Sequence, residues 1–242
     1  MTVDAVIPAL NEAASIGLVL EALPRGLLRR VIVCDNGSRD ATAEAARAAG
    51  AVVVHEPRRG YGAACLKALA LVASDPPDAV LFLDADLSDD PAEATALLAP
   101  IEAGRADLVI GSRTLGAREP GALTPQARFG NWLATRLLRA LYGVRWTDLG
   151  PFRAIRWDAY VSLGMSDPDF GWTVEMQVKA ARAGLRGVEV PVRYRRRIGR
   201  SKISGTLTGS VRAGAKILGT IFADFVRHGP VRSLPSTPAA SK

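Results

Sequence analysis

Two aspartates one residue apart are the strongest chemical signal in the sequence. Asp84 and Asp86 follow the apolar run 80–83, which is typical of a buried strand. Carboxylates are hard oxygen ligands suited to Mg²⁺ or Mn²⁺, and these ions bind phosphate oxygens in turn. An open α/β sheet also binds its ligand at the carboxyl ends of its strands. The pair therefore indicates a metal and diphosphate site, although the same residues could simply end the strand and cap the next helix.

Polar side chains follow two earlier apolar runs in a similar way. Asn11 and Glu12 come after the run 3–8, and Asp35 and Asn36 come after the run 30–34. Amide and carboxylate groups at these positions could hydrogen-bond a nucleobase or a ribose. A plain helix cap could account for Asn11, but an ordinary turn between a strand and a helix does not account for both Asp35 and Asn36.

A basic, glycine-containing turn lies at residues 58–64, between a predicted strand and a predicted helix. Such a turn suits an anion at the helix N-terminus, and Gly60 allows the backbone to come close to it. The sequence of the turn is neither GxGxxG nor a P-loop, which argues against a dinucleotide oxidoreductase or an ATPase.

Short strand-like runs alternate with helical patterns, and this alternation predicts an α/β fold with a mainly parallel sheet flanked by helices. After Gly111 the alternation breaks, and the segment 114–127 reads as a mobile loop over the site. The predicted strands are 3–8, 30–35, 51–56, 79–84, 107–111, 152–156 and 188–195. The bounded predicted helices are 12–23, 41–49, 62–73, 91–103, 172–183 and 204–227, with a further helix around Trp132–Leu141.

The net charge of +7 is concentrated near the carboxyl terminus, where residues 185–232 contain eleven Lys and Arg but only Glu189 and Asp224. This excess indicates an anionic partner, either ligand phosphates or lipid headgroups, unless it is only a solvated surface. Nucleic acid is not expected, because no aromatic residues for base stacking are interleaved with the basic ones. The two cysteines, the lack of a signal-peptide pattern and the lack of an apolar run of about 18 residues predict a cytoplasmic protein without a membrane span.

Four motifs in order resemble the family 2 glycosyltransferases of GT-A fold, a Rossmann-like fold that binds nucleotide-diphospho-sugars. The resemblance extends over about residues 2–205 and is strongest to the polyprenyl-phosphate, dolichol-phosphate mannose synthase-like branch. The four motifs are Ile7–Glu12, Val33–Thr42, Leu83–Pro91 and Gly111–Arg113.

The resemblance implies a nucleotide-sugar donor and a divalent metal, Mg²⁺ or Mn²⁺. It implies that Asp84 and Asp86 hold the metal with Ser88, which stands where relatives often have a glutamine ligand. Asn36 replaces a second acidic residue of relatives, which leaves the choice between uracil and guanine open. The residues expected to bind the donor nucleotide are Pro8, Ala9, Asn11, Glu12, Asp35, Asn36, Gly60, Asp84, Ala85 and Asp86.

Later segments are similar to the phosphate-binding and acceptor-facing parts of the family. Asp84, Arg113 and Glu175 are the expected catalytic residues, with Glu175 facing the acceptor unless it is an ordinary glutamate on a helix surface. The residues expected to bind the phosphates of the donor or the acceptor are Arg113, Arg153, Arg200, Ser201 and Lys202.

These observations predict a metal-dependent, inverting transfer of a hexose from a UDP- or GDP-linked sugar to a polyprenyl phosphate. A phosphate acceptor is ionised at neutral pH and needs no base. The alternatives are transfer to a soluble or glycan hydroxyl with Glu175 as general base, a nucleotidyltransferase, or a non-catalytic nucleotide- or membrane-binding module. A nucleotidyltransferase is disfavoured because the segment 9–15 contains no Lys or Arg.

The last predicted helix has an apolar stripe opposite basic residues. This pattern fits peripheral contact with the inner face of the plasma membrane, and it fits equally a helix packed on its own domain. The expected organisation is a GT-A domain at 1–204, a C-terminal amphipathic helix at 205–229 and a flexible tail at 230–242.

Overall fold

The protein contains one seven-stranded sheet, seen in a computed structural model that describes residues 1–199 and 207–231. The strand order is β3-β2-β1-β4-β6-β5-β7, and every neighbouring pair is parallel except the two pairs that involve β6. The α/β prediction is thereby confirmed. The strands are β1 Val3–Ala9, β2 Arg30–Asp35, β3 Val52–His55, β4 Ala79–Phe82, β5 Leu108–Ser112, β6 Arg153–Arg156 and β7 Gly187–Pro191.

Helices cover both faces of the sheet, and a short 3₁₀ turn at Pro91–Glu93 precedes α4. The helices are α1 Ile16–Ala22, α2 Thr42–Ala48, α3 Tyr61–Val72, α4 Ala94–Glu102, α5 Pro125–Tyr142, α6 Trp157–Leu163, α7 Trp172–Arg182 and α8 Leu207–His228.

The central strands are apolar on both faces because both faces are covered by helices. In β1, Ile7 belongs to the core cluster that includes α1 and α4, whereas Val6 points into the cluster that includes α3 and α7. All four residues of β4 are buried. This explains why β4 reads in the sequence as a continuous apolar run rather than as an alternating pattern.

A third cluster joins α5, α7 and α8 through residues such as Leu138, Val178 and Ile221. Beside this packed stripe, α8 leaves Val211 and Val226 exposed by 63% and 82%. The helix therefore packs on its own domain and also presents an apolar stripe outward. No helix in the described part of the chain is long and apolar enough to cross a membrane.

Several elements differ from the sequence-based predictions. Helix α5 begins at Pro125, so the last residues of the segment 114–127, predicted as a loop, are helical. Helix α1 begins at Ile16 rather than at residue 12, because Asn11 has a positive φ of 51° and lies in a loop. Helix α6 was not predicted, and β7 ends at Pro191 rather than at residue 195. The division of the chain at residues 204 and 229 stays a prediction, and residues 200–206 and 232–242 lie outside the described ranges.

The order in which successive strands are added to the sheet reverses at β1. Strands β2 and β3 lie on one side of β1, whereas β4 lies on the other. The connections after these strands diverge at such a switch point and leave a crevice at the carboxyl ends of the strands. The polar residues identified in the sequence follow β1, β2 and β4, so the fold places them around this crevice.

Candidate active site

A cleft of about 310 Å³ lies at the carboxyl ends of β1, β2 and β4. Most of the residues predicted to bind the donor line it, which brings together motifs up to about 80 residues apart in the sequence. The predicted residues that line the cleft are Pro8, Ala9, Glu12, Asn36, Gly60, Asp84, Ala85 and Asp86. The other lining residues are Leu10, Arg59, Tyr61, Ala64, Asp169, Phe170, Arg197 and Arg212.

The two aspartates at the end of β4 form the acidic floor of the cleft. Oδ1 of Asp86 accepts a hydrogen bond of 2.9 Å from the backbone N–H of Ser88, and its Oδ2 lies 2.9 Å from Nη2 of Arg197. Burial, together with the nearby negative charge of Asp86, raises the pKa of Asp84 to about 7. Two carboxylates held this close together favour a cation between or beside them.

The oxygen atoms at this position fit a divalent metal ion whose coordination is completed by a bound ligand or by water. Asp84 and Asp86 offer hard oxygen atoms at the edge of the cleft, and Asp86 already binds a cationic group. The Ser88 hydroxyl is buried and has no hydrogen-bond partner of good geometry in the described part of the chain. Within residues 1–199 and 207–231, no three His, Cys, Asp or Glu side chains form a complete metal site. The remaining ligands would therefore come from water or from a diphosphate.

Asn36 supports the wall of the cleft that leads to α3. Its Nδ2 donates to the backbone oxygens of Glu56 and Arg58 at 2.9 and 2.7 Å, and its Oδ1 accepts from the N–H of Gly60 at 2.9 Å. The side chain therefore fixes the glycine-containing turn between β3 and α3. A carboxylate at this position would lack the two donors that the turn requires.

Asn11 and Asp35 lie just behind the lining of the cleft. Asn11 accepts a 2.7 Å hydrogen bond from the N–H of Arg39, and Asp35 accepts one of 3.0 Å from the N–H of Ser38. Burial acts to raise the pKa of Asp35, but its hydrogen bonds to Ser38 and His55 lower it overall. Both side chains hold the neighbouring loops together in this structure, and their contact with a nucleoside stays a prediction.

A close backbone contact joins the N-terminus of α3 to the loop between α6 and α7. The N–H of Ala63 donates to the backbone oxygen of Pro168 at 2.8 Å. A Cβ atom on Gly62 would lie 2.0 Å from the backbone oxygen of Asp167, so only glycine fits there. This contact places Asp169 and Phe170 in the cleft wall.

The structure does not place Glu175 in the cleft, where the sequence predicted that it would face the acceptor. Its carboxylate accepts hydrogen bonds from the backbone N–H groups of Ser166 and Asp167 and from the Ser166 hydroxyl. It also forms an ion pair of 2.8 Å with Lys179. Glu175 therefore anchors the α6–α7 loop and acts on the cleft through Asp169 and Phe170.

Arg153 is also placed differently from its predicted role as an anion ligand. The residue is fully buried, and its guanidinium donates to the backbone oxygens of Leu149, Gly150 and Thr173. Burial lowers its pKa to about 10. The guanidinium therefore links β6 to α7 and does not line the cleft.

Arg113, like Glu175 and Arg153, is held by other residues of the fold and not by the cleft. It follows β5, forms a bidentate ion pair with the buried Asp148 at 2.6 and 2.8 Å, and stacks over the ring of Tyr194. Burial acts to lower its pKa, but Asp148 raises it well above the usual value. Arg113 does not line the cleft, so its contact with a phosphate stays a prediction. Arg200, Ser201 and Lys202 lie outside the described residues.

Four further charged residues line the cleft, although none of them was among the predicted site residues. Arg59 belongs to the turn before α3, Asp169 to the α6–α7 loop, Arg197 to the segment after β7, and Arg212 to α8. Arg59 was signalled by its basic turn, and Arg197 and Arg212 belong to the basic segment 185–232, which indicated an anionic partner. Asp169 reaches the cleft through tertiary packing, for which a local pattern gives no indication.

Comparison with protein families matches residues 4–164 to Glycosyl transferase family 2. The chain belongs to this family. Within it, the chain is 42% identical over 212 residues to an uncharacterized glycosyltransferase of Mycobacterium tuberculosis, covering 86% of this chain and 93% of the relative. It is also 31% identical over 224 residues to the undecaprenyl-phosphate mannosyltransferase of Micrococcus luteus, covering 86% and 90%.

A solved structure of another glycosyltransferase supports the GT-A fold of this family 2 enzyme. Glucosyl-3-phosphoglycerate synthase from Mycobacterium tuberculosis, in complex with Mn²⁺, UDP and glucosyl-3-phosphoglycerate, superposes with a TM-score of 0.73 at 26% identity. The similarity covers 96% of this chain and 81% of the synthase. Nucleotide-sugar transfer is thus the class of reaction for this chain, whereas the two named relatives differ in their acceptors.

Proposed function

We propose that this family 2 glycosyltransferase transfers a hexose, with inversion and with a divalent metal, from a nucleotide sugar to a polyprenyl phosphate at the cytoplasmic face of a membrane. The observation that carries the proposal is the composition of the cleft. Asp84 and Asp86 lie on its floor, where Arg197 pairs with Asp86, and Arg59 and Arg212 line its walls.

The donor half of the proposal rests on the switch-point cleft and its polar residues. Pro8, Glu12 and Asn36 line the side nearest β1 and β2, where a nucleoside would lie. The aspartates lie at the end of β4, where the diphosphate would follow. The complexes of the related synthase with UDP and Mn²⁺ support this arrangement.

The acceptor half rests on the excess of positive charge around the cleft. Two anionic groups, a donor diphosphate and an acceptor phosphate, would be held by three guanidinium groups and a metal. Glu175, the base that the sequence suggested for a hydroxyl acceptor, does not line the cleft, and its carboxylate binds the backbone of residues 166 and 167. Relatives named undecaprenyl-phosphate mannosyltransferase and dolichyl-phosphate hexose transferase are consistent with a lipid phosphate.

The chemistry requires that the bond between the anomeric carbon and the diphosphate oxygen break through an oxocarbenium-like transition state. A divalent ion held by Asp84 and Asp86 would supply positive charge to the departing diphosphate. The guanidinium groups add charge that is already in position before the bond breaks. The loss of one such preorganised contact typically raises the barrier by about 2.7–4 kcal/mol.

A second candidate function is transfer to a hydroxyl group with Asp169 as the base. The observation that favours it is the position of Asp169, which lies in the cleft wall and is only partly buried. The synthase that superposes on this chain was crystallised with phosphoglyceric acid, which carries a hydroxyl. This candidate keeps the donor site and changes only the acceptor.

The donor is tested by a thermal-shift screen of UDP- and GDP-sugars with Mn²⁺ or Mg²⁺. The cognate nucleotide should raise the apparent stability by about 2.7 kcal/mol at a ligand concentration 100-fold above Kd. In Asp86→Ala this shift should be lost. Asp158→Ala, which removes an exposed aspartate at the opposite end of the strands, should keep it.

The acceptor is tested with the labelled donor so identified. Polyprenyl phosphate in vesicles and 3-phosphoglycerate in solution are offered in parallel, and the label is followed into the lipid or the aqueous phase. Lipid labelling supports the proposal, whereas labelling of phosphoglycerate alone supports the second candidate. A wild-type protein that shows no metal-dependent shift with any nucleotide sugar would contradict both.

A further inference from the structure

One guanidinium already occupies the acidic floor of the cleft. Nη2 of Arg197 lies 2.9 Å from Oδ2 of Asp86 and 3.0 Å from Oε1 of Glu12. The side chains of these two carboxylates are only 6% and 7% exposed. Two nearly buried carboxylates require a counter-charge, and Arg197 supplies it with a single nitrogen between them.

The backbone of the same segment holds this guanidinium in place. The N–H of Ile198 donates to the backbone oxygen of Asp86 at 3.0 Å, and the N–H of Arg195 donates to that of Ser88 at 2.8 Å. Residues 192–199, which we call the strap, therefore run alongside the loop that carries the aspartates. The position of Arg197 follows from this pairing and not from a flexible surface contact.

We propose that Arg197 is a resident counter-cation that a divalent metal must displace from Asp86, and that the nucleotide diphosphate helps to displace it. The inference rests on the metal-binding part of the proposed function. A diphosphate entering the cleft offers Arg197 new anionic partners and leaves Asp86 available to the metal. Metal and nucleotide then increase each other's affinity by more than their direct contact provides.

This arrangement has a thermodynamic consequence that is independent of catalysis. Because Arg197 and the metal compete for one carboxylate, metal binding without nucleotide is weakened by the stability of the ion pair. Removal of the guanidinium should strengthen metal binding to the empty protein. It should also reduce the factor by which nucleotide strengthens metal binding, because binding couplings are reciprocal.

The test measures free Mn²⁺ by electron paramagnetic resonance during titrations of wild type and Arg197→Met. Each protein is titrated without nucleotide and with UDP or GDP, whichever the thermal-shift screen selects. Without nucleotide, Arg197→Met should bind Mn²⁺ about tenfold more tightly than wild type, within the usual range of binding couplings. With nucleotide, this advantage should disappear.

Arg193→Met is the matched control. It removes one positive charge from the same strap, but the Arg193 side chain is 68% exposed and its nearest carboxylate is Glu93, at 4.0 Å. Its Mn²⁺ affinity should stay within about twofold of wild type, since exposed charges are well screened. A tenfold gain in both variants would assign the effect to net charge and overturn the inference.

If Arg197→Met does not fold, Arg197→Lys replaces it, because a lysine on a shorter and more mobile side chain cannot reproduce the planar guanidinium between two carboxylates. Mn²⁺ affinity above wild type in that variant supports the inference. Unchanged or weaker Mn²⁺ binding without nucleotide, in the folded variant used, overturns it while leaving the proposed function intact. Failure of every protein to bind Mn²⁺ with nucleotide would instead refute the metal site itself.

Discussion

Glu175 shapes the active-site cleft although it does not line it. The carboxylate binds the backbone of residues 166 and 167, and the following residues of the same loop, Asp169 and Phe170, form part of the cleft wall. An uncharged amide can accept only part of these hydrogen bonds and cannot pair with Lys179. The residue therefore affects stability first and the reaction only through the loop.

Replacement of Glu175 by glutamine should lower the free energy of unfolding by about 1–3 kcal/mol, because the partly buried donors of the loop lose a charged acceptor. Sugar transfer below the melting temperature should stay within a few-fold of wild type. Urea denaturation and the labelled-donor assay measure the two effects.

Lys179→Met is the control for this variant, since it removes the ion pair and the hydrogen bond from Lys179 to the backbone oxygen of Gly164 but keeps the hydrogen bonds that Glu175 accepts from the loop. It should cost less stability than Glu175→Gln. A drop of turnover by a factor of a thousand or more in Glu175→Gln, without loss of stability, would restore the role of general base that the sequence suggested.

At the level of secondary-structure elements, the close contact between α3 and the α6–α7 loop should contribute to stability. Gly62→Ala would place a Cβ 2.0 Å from a backbone oxygen, so the loop or the helix must shift. The variant should lose about 1–3 kcal/mol of stability, as is typical of overpacking. Its thermal shift with nucleotide should also be smaller, because the displaced loop carries part of the cleft wall.

Gly17→Ala provides a matched comparison, because Gly17 also lies in the first turn of a helix and a Cβ added there would have no neighbour within 4 Å. That substitution should be neutral or stabilising by up to about 1 kcal/mol. Equal stability of the two variants would show that the close contact at Gly62 is not rigid.

The elements that were predicted correctly are those that a short stretch of sequence identifies by itself. Strand β4 and its aspartates lie within a dozen residues, and the apolar run followed by carboxylates identified both. The same is true of the turns after β1 and β2. In contrast, Arg197 and Glu12 are separated by 185 residues, and nothing in either segment indicates the other.

The misplaced residues have a common physical reason. A glutamate early in a helix and an arginine in a strand each have several possible partners, and burial decides among them. Arg153 was assigned to an anion because arginine commonly binds one, but full burial pairs it with backbone oxygens instead. Such choices depend on packing, which the sequence pattern alone does not determine.

At the level of the whole molecule, α8 links the cleft to an apolar surface. Ile217 and Ile221 pack against α5 and α7, whereas Phe222 and Val226 remain 46% and 82% exposed. Arg212, near the start of the same helix, lines the cleft. The helix is held by ion pairs at two points, Lys216 with Asp167 and Arg182 with Asp224.

If the exposed stripe of α8 contacts lipid, Phe222→Ser combined with Val226→Ser should reduce binding to anionic vesicles by about tenfold or more, because burial of each side chain contributes up to about 1.5–3 kcal/mol. Co-sedimentation with phosphatidylglycerol vesicles measures this effect. The thermal shift with nucleotide should be unchanged, since neither residue lines the cleft.

Val161→Ser, which changes an exposed apolar residue on α6, is the control and should sediment like wild type. Undiminished sedimentation of the double variant would assign the α8 stripe to another use.

Arg212 and Phe222 are ten residues apart on helix α8, which corresponds to about 15 Å along its axis. An amphiphile with an anionic head group and an apolar tail could therefore contact both positions at once. Lengthening or shortening the helix between them by one turn would shift the tail contact by about 5.4 Å along the axis relative to the reaction centre, on the same face of the helix. The selectivity of the enzyme for amphiphiles would then depend on the distance between the two contacts along the helix, and not on any single side chain.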